Sequence, residues 1–142
     1  MKRTIFLSLL LVCFLTSCNS QRNINKKTEV SISITEKEWI AVELNSEKIE
    51  QLAADRFPKL TLSAGKVSGY SSCNRMNGTY TLEKDKIVFG AIAVTKMLCF
   101  DTKDLEDKFL KAISEVKFWE YKQDKLHFLN EKKQIIIVFE EK

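Results

Sequence analysis

From residue 38 onward the chain is cut into short apolar or alternating runs separated by brief polar turns, and this cadence restricts the fold more than any other feature. Glu38–Leu44, with Trp39 as its large anchor, Lys59–Ser63, Lys66–Ser71, Thr79–Glu83 and Lys86–Phe89 each have the length and pattern of a strand. Ala64-Gly65 supplies a turn, and Asn77-Gly78 and Lys84-Asp85 place a hairpin signal at each end of Thr79–Glu83. Phe118–Tyr121, Leu126–Leu129 and Gln134–Glu140 follow later, joined by polar turns at Lys122–Lys125 and Asn130–Lys133. In the last run Ile135, Ile137 and Phe139 share one face and Ile136 and Val138 the other, which predicts a strand covered on both sides. A helical period is clear over Asp104–Val116, where Leu105, Phe109, Leu110, Ile113 and Val116 form an apolar stripe. Thr102 or Asp101 can cap it, and Asp104, Glu106 and Asp107 place negative charge at its partly positive end. A short amphipathic helix is also expected over Ser46–Phe57, through Ile49, Leu52, Ala53 and Phe57, stopped by Pro58. Many short antiparallel strands and one main helix predict a mainly β (α+β) fold, a small curved sheet or barrel with the helix at about 104–116 packed on it.

The length of 142 residues, 44% of them hydrophobic, suits one domain with a single core and leaves no room for a second catalytic domain. Four Gly and one Pro exclude collagen-like and low-complexity chains.

The N-terminus reads as an address. Lys2-Arg3 precedes the apolar run Ile5–Leu15, a secretory signal too short to span a membrane. Leu15-Thr16-Ser17-Cys18 matches a bacterial lipobox, which implies cleavage before Cys18 and acylation of its thiol. Two or more acyl chains anchor firmly, so membrane lipid is the expected partner of this end. The domains expected are a signal peptide over 1–17, a lipid-anchored tether over 18–35 and a folded body over 36–142. Within the tether, Glu29–Thr35 alternates as an edge strand would. Removing Lys2 and Arg3 takes 23 basic side chains to 21 against 19 acidic ones, so the net charge falls from +4 to +2. With basic and acidic residues interleaved, no nucleic-acid partner is expected. Asn19 is not the Asp associated with inner-membrane retention, so the outer membrane, facing the periplasm, is the expected location.

With Cys13 removed and Cys18 acylated, Cys73 and Cys99 are the remaining thiols, and an even count in an exported chain suggests a disulfide. Closing a loop of about 26 residues is worth about 3.5 kcal/mol on the chain-entropy argument. The alternative is a soft-metal site, since Cys73, Met76, Met97 and Cys99 are the ligand types that favour Cu(I). Met76 and Met97 equally suit packing into irregular gaps.

The same residues carry a family likeness. Gly69-x-x-x-Cys73-Asn74-Arg75-x-x-Gly78-x-Tyr80, then Thr95-x-Met97-x-Cys99 and an acidic helix with Glu106 and Phe109, resembles the META domain of HslJ-like bacterial envelope proteins. Trp39 and Pro58-x-Leu60 fit as well, so the resemblance runs from about Trp39 to Phe139. It departs at Ser72, where the family usually has Gly, and at Asn45-Ser46, where it usually has an Asn-Gly turn. The resemblance implies a compact antiparallel β-barrel-like domain with a packed helix, extended or irregular chain over 46–57, an association with envelope and heat-shock stress, and no established enzymatic activity.

Catalytic signatures are missing from the sequence. Its one histidine, His127, sits between Leu126 and Phe128 and is expected to face solvent, and one His gives no His-based metal triad. There is no nucleophile elbow, Walker loop or dinucleotide fingerprint. No cofactor and no metal are therefore expected. Arg75 beside Asn74 can bind an anion, though such a pair in a loop more often bonds nearby backbone. The expected function is a non-enzymatic envelope interaction module, with an envelope protein as partner. Asn74, Arg75, Met76 and Asn77 in the loop Ser71–Gly78, with Met97 in the facing loop Ala91–Phe100, form the candidate interaction surface. A small-ligand carrier or an inhibitor of an envelope hydrolase is the second reading.

Overall fold

A computed structural model describes residues 33–50 and 56–142. The signal peptide, Cys18 and most of the tether lie outside the described residues, as do Leu52 and Ala53. Ten strands and one helix follow in the order β1 (Glu38–Leu44), β2 (Glu47–Lys48), β3 (Lys59–Ser63), β4 (Lys66–Tyr70), β5 (Arg75–Glu83), β6 (Lys86–Phe89), β7 (Ala93–Val94), α1 (Lys103–Glu115), β8 (Phe118–Lys122), β9 (Lys125–Leu129) and β10 (Ile135–Glu141). Strands pair antiparallel in the order β10-β9-β8-β6-β5-β4-β3-β1-β2, and β1 also pairs β10, which closes the sheet into a ring. The mainly β fold with one packed helix is thus as the sequence predicts. Closure removes the unpaired edges that an open sheet of short strands would expose.

Tight turns make the ring. Asn45-Ser46, Ala64-Gly65 and Gln123-Asp124 all have positive φ at both positions, the geometry whose twist matches paired strands. Ser46 at φ 67° therefore does the work of the family's usual glycine, and the chain from Ser46 turns back into β2 instead of starting a helix. At its start the periodicity over 46–57 is outcompeted by the hairpin, which pairs Leu44 with Glu47. Asn77-Gly78 is not a turn either, because β5 runs straight through it. Gly78 is needed for close approach: a Cβ there would stand 2.8 Å from the Ala91 carbonyl oxygen.

The inside of the ring is filled by side chains, as expected when about eight strands close. Trp39, Leu60, Leu62, Met76, Ile87, Leu126, Phe128, Ile137 and Phe139 are all essentially fully buried. Aromatic contacts link the strands edge-on, Trp39 to Tyr121 at 6.2 Å and Phe128 to Phe139 at 5.0 Å between ring centres. Helix α1 sets Phe109, Ala112 and Ile113 into this core, with Phe109 edge-on to Phe139 at 6.4 Å. It ends where Val116 turns extended and Lys117 donates to the Leu129 carbonyl at 2.9 Å.

Three details depart from the sequence pattern. A bulge between Ile135 and Ile137 lifts Ile135 off the face it was expected to share, leaving it 41% exposed. His127 points away from the core but is only 8% exposed, because Glu120 and Val138 flank it on the neighbouring strands. Residues 33–35 form no strand, yet Ile34 is buried and its carbonyl accepts the Trp39 Nε1–H at 2.8 Å.

Candidate functional site

Between β4 and β5 the chain makes a tight corner, Ser71–Asn74, closed by the Ser71 amide donating to the Asn74 carbonyl at 2.8 Å. Ser72 takes φ 93° there, which explains the family's glycine, and its buried hydroxyl has no hydrogen-bond partner. Next to it Cys73 is bonded to Cys99, S–S 2.04 Å and Cα–Cα 5.9 Å. The bridge uses both sulfurs, and Met76 is fully buried while Met97 is 59% exposed, so the thioethers share no site with thiolates and the soft-metal alternative fails.

Asn74 links the two halves of the signature. Its Oδ1 accepts the Met97 amide at 2.6 Å and the Thr95 hydroxyl at 2.9 Å, and its Nδ2 donates to the Met97 carbonyl at 3.1 Å and Glu106 Oε2 at 3.0 Å. Every donor and acceptor of the amide is thereby used, which no other side chain of its size can reproduce. Glu106, 8% exposed, also receives the Asn74 amide at 3.1 Å and the Ser71 hydroxyl. A buried carboxylate without a cation is tolerable because these donors, with the helix N-terminus, surround it. Its signal was present in the sequence: Glu106 precedes Phe109, Leu110 and Ile113 at helical spacing and therefore lies on the buried stripe, where a mere dipole partner need not be. Thr102 occupies the cap position of α1 but makes no cap bond; its hydroxyl donates to the Ser72 carbonyl at 3.3 Å and accepts from Arg56 at 3.2 Å.

The candidate interaction residues divide accordingly. Asn74 and Met76 face inward, at 4% and 0% exposure, and belong to the clamp and the core. Arg75 and Asn77 alternate with them and point outward from β5. The expected loop Ser71–Gly78 is a loop only as far as Asn74, since cross-strand pairing with β4 and β7 takes over at Arg75 and Met76. What the clamp presents is the segment after β7. Its backbone is pinned at Thr95, Met97 and Cys99, while Met97, Leu98 and Phe100 stand 59%, 68% and 86% exposed. The sequence reading places the loop Ala91–Phe100 on the presented surface but singles out Met97 alone, although three large apolar residues around a bridged cysteine are legible as a pattern.

Among the described residues no group of three or more His, Cys, Asp or Glu is placed to hold a metal, and no helix is long and apolar enough to cross a membrane. The described residues thus form a small closed antiparallel sheet with one inserted helix and a disulfide-braced loop. Residues 32–142 match the META domain family, and the chain belongs to it. Among solved structures it is similar to a protein from Burkholderia xenovorans determined by NMR, with TM-score 0.62 and 20% identity over 77% of this chain and 83% of that one. It is also similar to a DUF4847 family protein from Bacteroides vulgatus, with TM-score 0.58 and 15% identity over 75% of this chain and 93% of that one. At these identities the likeness is one of fold. Comparison with curated proteins gave no match.

Proposed function

We propose that this chain is a non-enzymatic lipoprotein of the bacterial outer membrane, held by acylated Cys18 and facing the periplasm, whose META domain captures an envelope protein through its braced loop. A link to envelope or heat-shock stress goes with the family resemblance. The observation that carries the reading is the exposure of Met97, Leu98 and Phe100 on a backbone that the disulfide and Asn74 do not allow to fold inward. Large apolar side chains held out in water mark interaction sites, and a pre-ordered loop loses little entropy on binding. Carriage of an apolar ligand inside the ring is disfavoured by the side chains that fill it. The rigid loop also suits inhibition of an envelope hydrolase, in which case the captured partner is that enzyme.

The test places a photo-crosslinking residue at Leu98 or Phe100 in cells and compares it with one at Thr81 on the far stretch of β5. A discrete adduct from the loop positions, lost when the two of Met97, Leu98 and Phe100 that do not carry the probe are changed to Ser at unchanged Tm, supports the assignment. Equal labelling from Thr81, or an adduct that survives the double substitution, refutes it. Cys18→Ala should release the protein from the membrane fraction into the soluble periplasm.

A further inference from the structure

The clamp leaves Arg75 unused, and the register around it builds a second surface. Lys59, Tyr70 and Arg75 are direct cross-strand neighbours on β3, β4 and β5, and Thr61, Ser68 and Asn77 form the adjacent row. Both rows face outward, since the alternating residues Leu60 and Met76 are buried in the core. All of these but Thr61 line a groove of about 520 Å³ on the outside of the ring. Its floor is strand, so its side chains start from fixed positions, and Arg75 is further pinned by Thr95, which bonds its amide at 3.1 Å and its carbonyl at 3.0 Å.

Charge in the groove is already partly spent. Glu38 on β1 accepts from Lys59 at 3.2 Å and from Lys142 at 3.3 Å, so Lys59 is held in an ion pair whose one negative charge it shares with Lys142. Among the described residues, the guanidinium of Arg75 has no ion-pair or side-chain hydrogen-bond partner. One free cation suits a single carboxylate better than a dianionic phosphate, because one positive charge balances the first and leaves the second undercompensated; the guanidinium fork then holds the carboxylate through two hydrogen bonds. Tyr70, half-buried beside it, offers a flat apolar ring with a polar tip. Ser68 and Asn77 add a hydroxyl and an amide to the lining. Apart from Gly69, Tyr70 and Met76 the lining is polar, so a ring edged with hydroxyls fits it better than an apolar peptide side chain does.

We propose that this face is a binding site for a sugar bearing one carboxylate, with the carboxylate on Arg75, the sugar ring on Tyr70, and sugar hydroxyls on Ser68 and Asn77. The site is built from other side chains than the braced loop's Met97, Leu98 and Phe100 and does not depend on its protein partner.

The experiment is calorimetric titration of the full-chain protein with N-acetylmuramic acid, alongside N-acetylglucosamine, which has a similar ring without the carboxylate, and inorganic phosphate. The acid should bind, with the neutral sugar and phosphate each weaker by about tenfold or more, as expected for loss of a charge-assisted bond or of the ring contact. Arg75→Gln and Tyr70→Ala should each weaken the acid by about tenfold or more at unchanged Tm. Lys66→Gln, a cation on the same sheet face beyond the groove, and Leu98→Ser, in the loop, should leave binding as it is. Absence of heat with the acid at about 10 mM, where a Kd of about 1 mM would be well saturated, overturns the proposal. So does equal binding of the neutral sugar or of phosphate, or an Arg75→Gln variant that binds as well as the parent.

Discussion

Replacing Asn74 with Ala should separate the clamp from the disulfide beside it. The substitution deletes four side-chain hydrogen bonds, to Thr95, to both backbone groups of Met97 and to Glu106. Thr95 and Met97 are exposed, so their groups regain water, and these three bonds contribute less than the usual 1 kcal/mol or so each. Glu106 does not regain water; it is 8% exposed and is left with the Ser71 hydroxyl and the Asn74 amide. A lost bond to a buried charge costs about 1.5–3 kcal/mol, which sets the expected total near 3 kcal/mol. That is a large share of a typical domain stability of about 5–15 kcal/mol, yet the fold survives. Urea unfolding followed by tryptophan fluorescence measures it, since Trp39 is fully buried. Amide exchange at Met97 gives the local readout: its N–H should lose protection while the Cys73–Cys99 bond stays intact. Asn74→Asp should destabilise more than Asn74→Ala, because it sets a second carboxylate against Glu106. A loss below about 1 kcal/mol, or a Met97 amide that exchanges at the parental rate, would refute the claim that Asn74 holds the loop.

Ser72→Gly should stabilise the protein by about 1 kcal/mol, by relieving φ 93° and removing a buried hydroxyl without a partner; thermal unfolding would show a higher Tm. The double variant Cys73→Ser, Cys99→Ser should lose about 3.5 kcal/mol, the chain-entropy value for a 26-residue separation, and should unfold at a urea midpoint that no longer depends on reductant. Glu38 gives a pH dependence: burial pulls its pKa up, but hydrogen bonds from Lys59 and Lys142 outweigh this and hold it below its ordinary 4.5. With the folded value lowered, its stabilisation is present above the unfolded value and lost as pH falls through the folded one. Parent and Glu38→Gln should therefore differ in Tm at pH 7 and converge as the buffer is taken from about pH 5 toward pH 3.

The strand cadence was legible because period-two patterning is local: Trp39 and Ala41, Leu60 and Leu62, Leu126 and Phe128 alternate in the sequence and are buried in the fold. The bridge was legible from cysteine parity, and α1 from its stripe. Ring closure was not, because pairing of β1 with β10 brings together residues about a hundred apart, such as Ala41 and Phe139, and no window of sequence contains both. The helix expected over Ser46–Phe57 does not begin at Ser46 for a related reason, since local spacing competes there with hairpin pairing that only the rest of the sheet makes favourable. Met76 was placed on a presented loop because Asn77-Gly78 looked like a turn; the strand that carries Met76 inward exists because β4 and β7 flank it.

Taken alone, the amino-acid order determines which short segments can be strands, which one is a helix, which sulfurs can pair and where an export signal reads. Tertiary structure decides what each outward or inward side chain meets. It turns Glu106 from a helix-end charge into the buried support of Asn74, and it sets Arg75 beside Tyr70. The reason is physical: alternation and parity are properties of neighbours along the chain, whereas burial, charge pairing and the grouping of side chains into a site depend on segments far apart in sequence that only the closed sheet brings together.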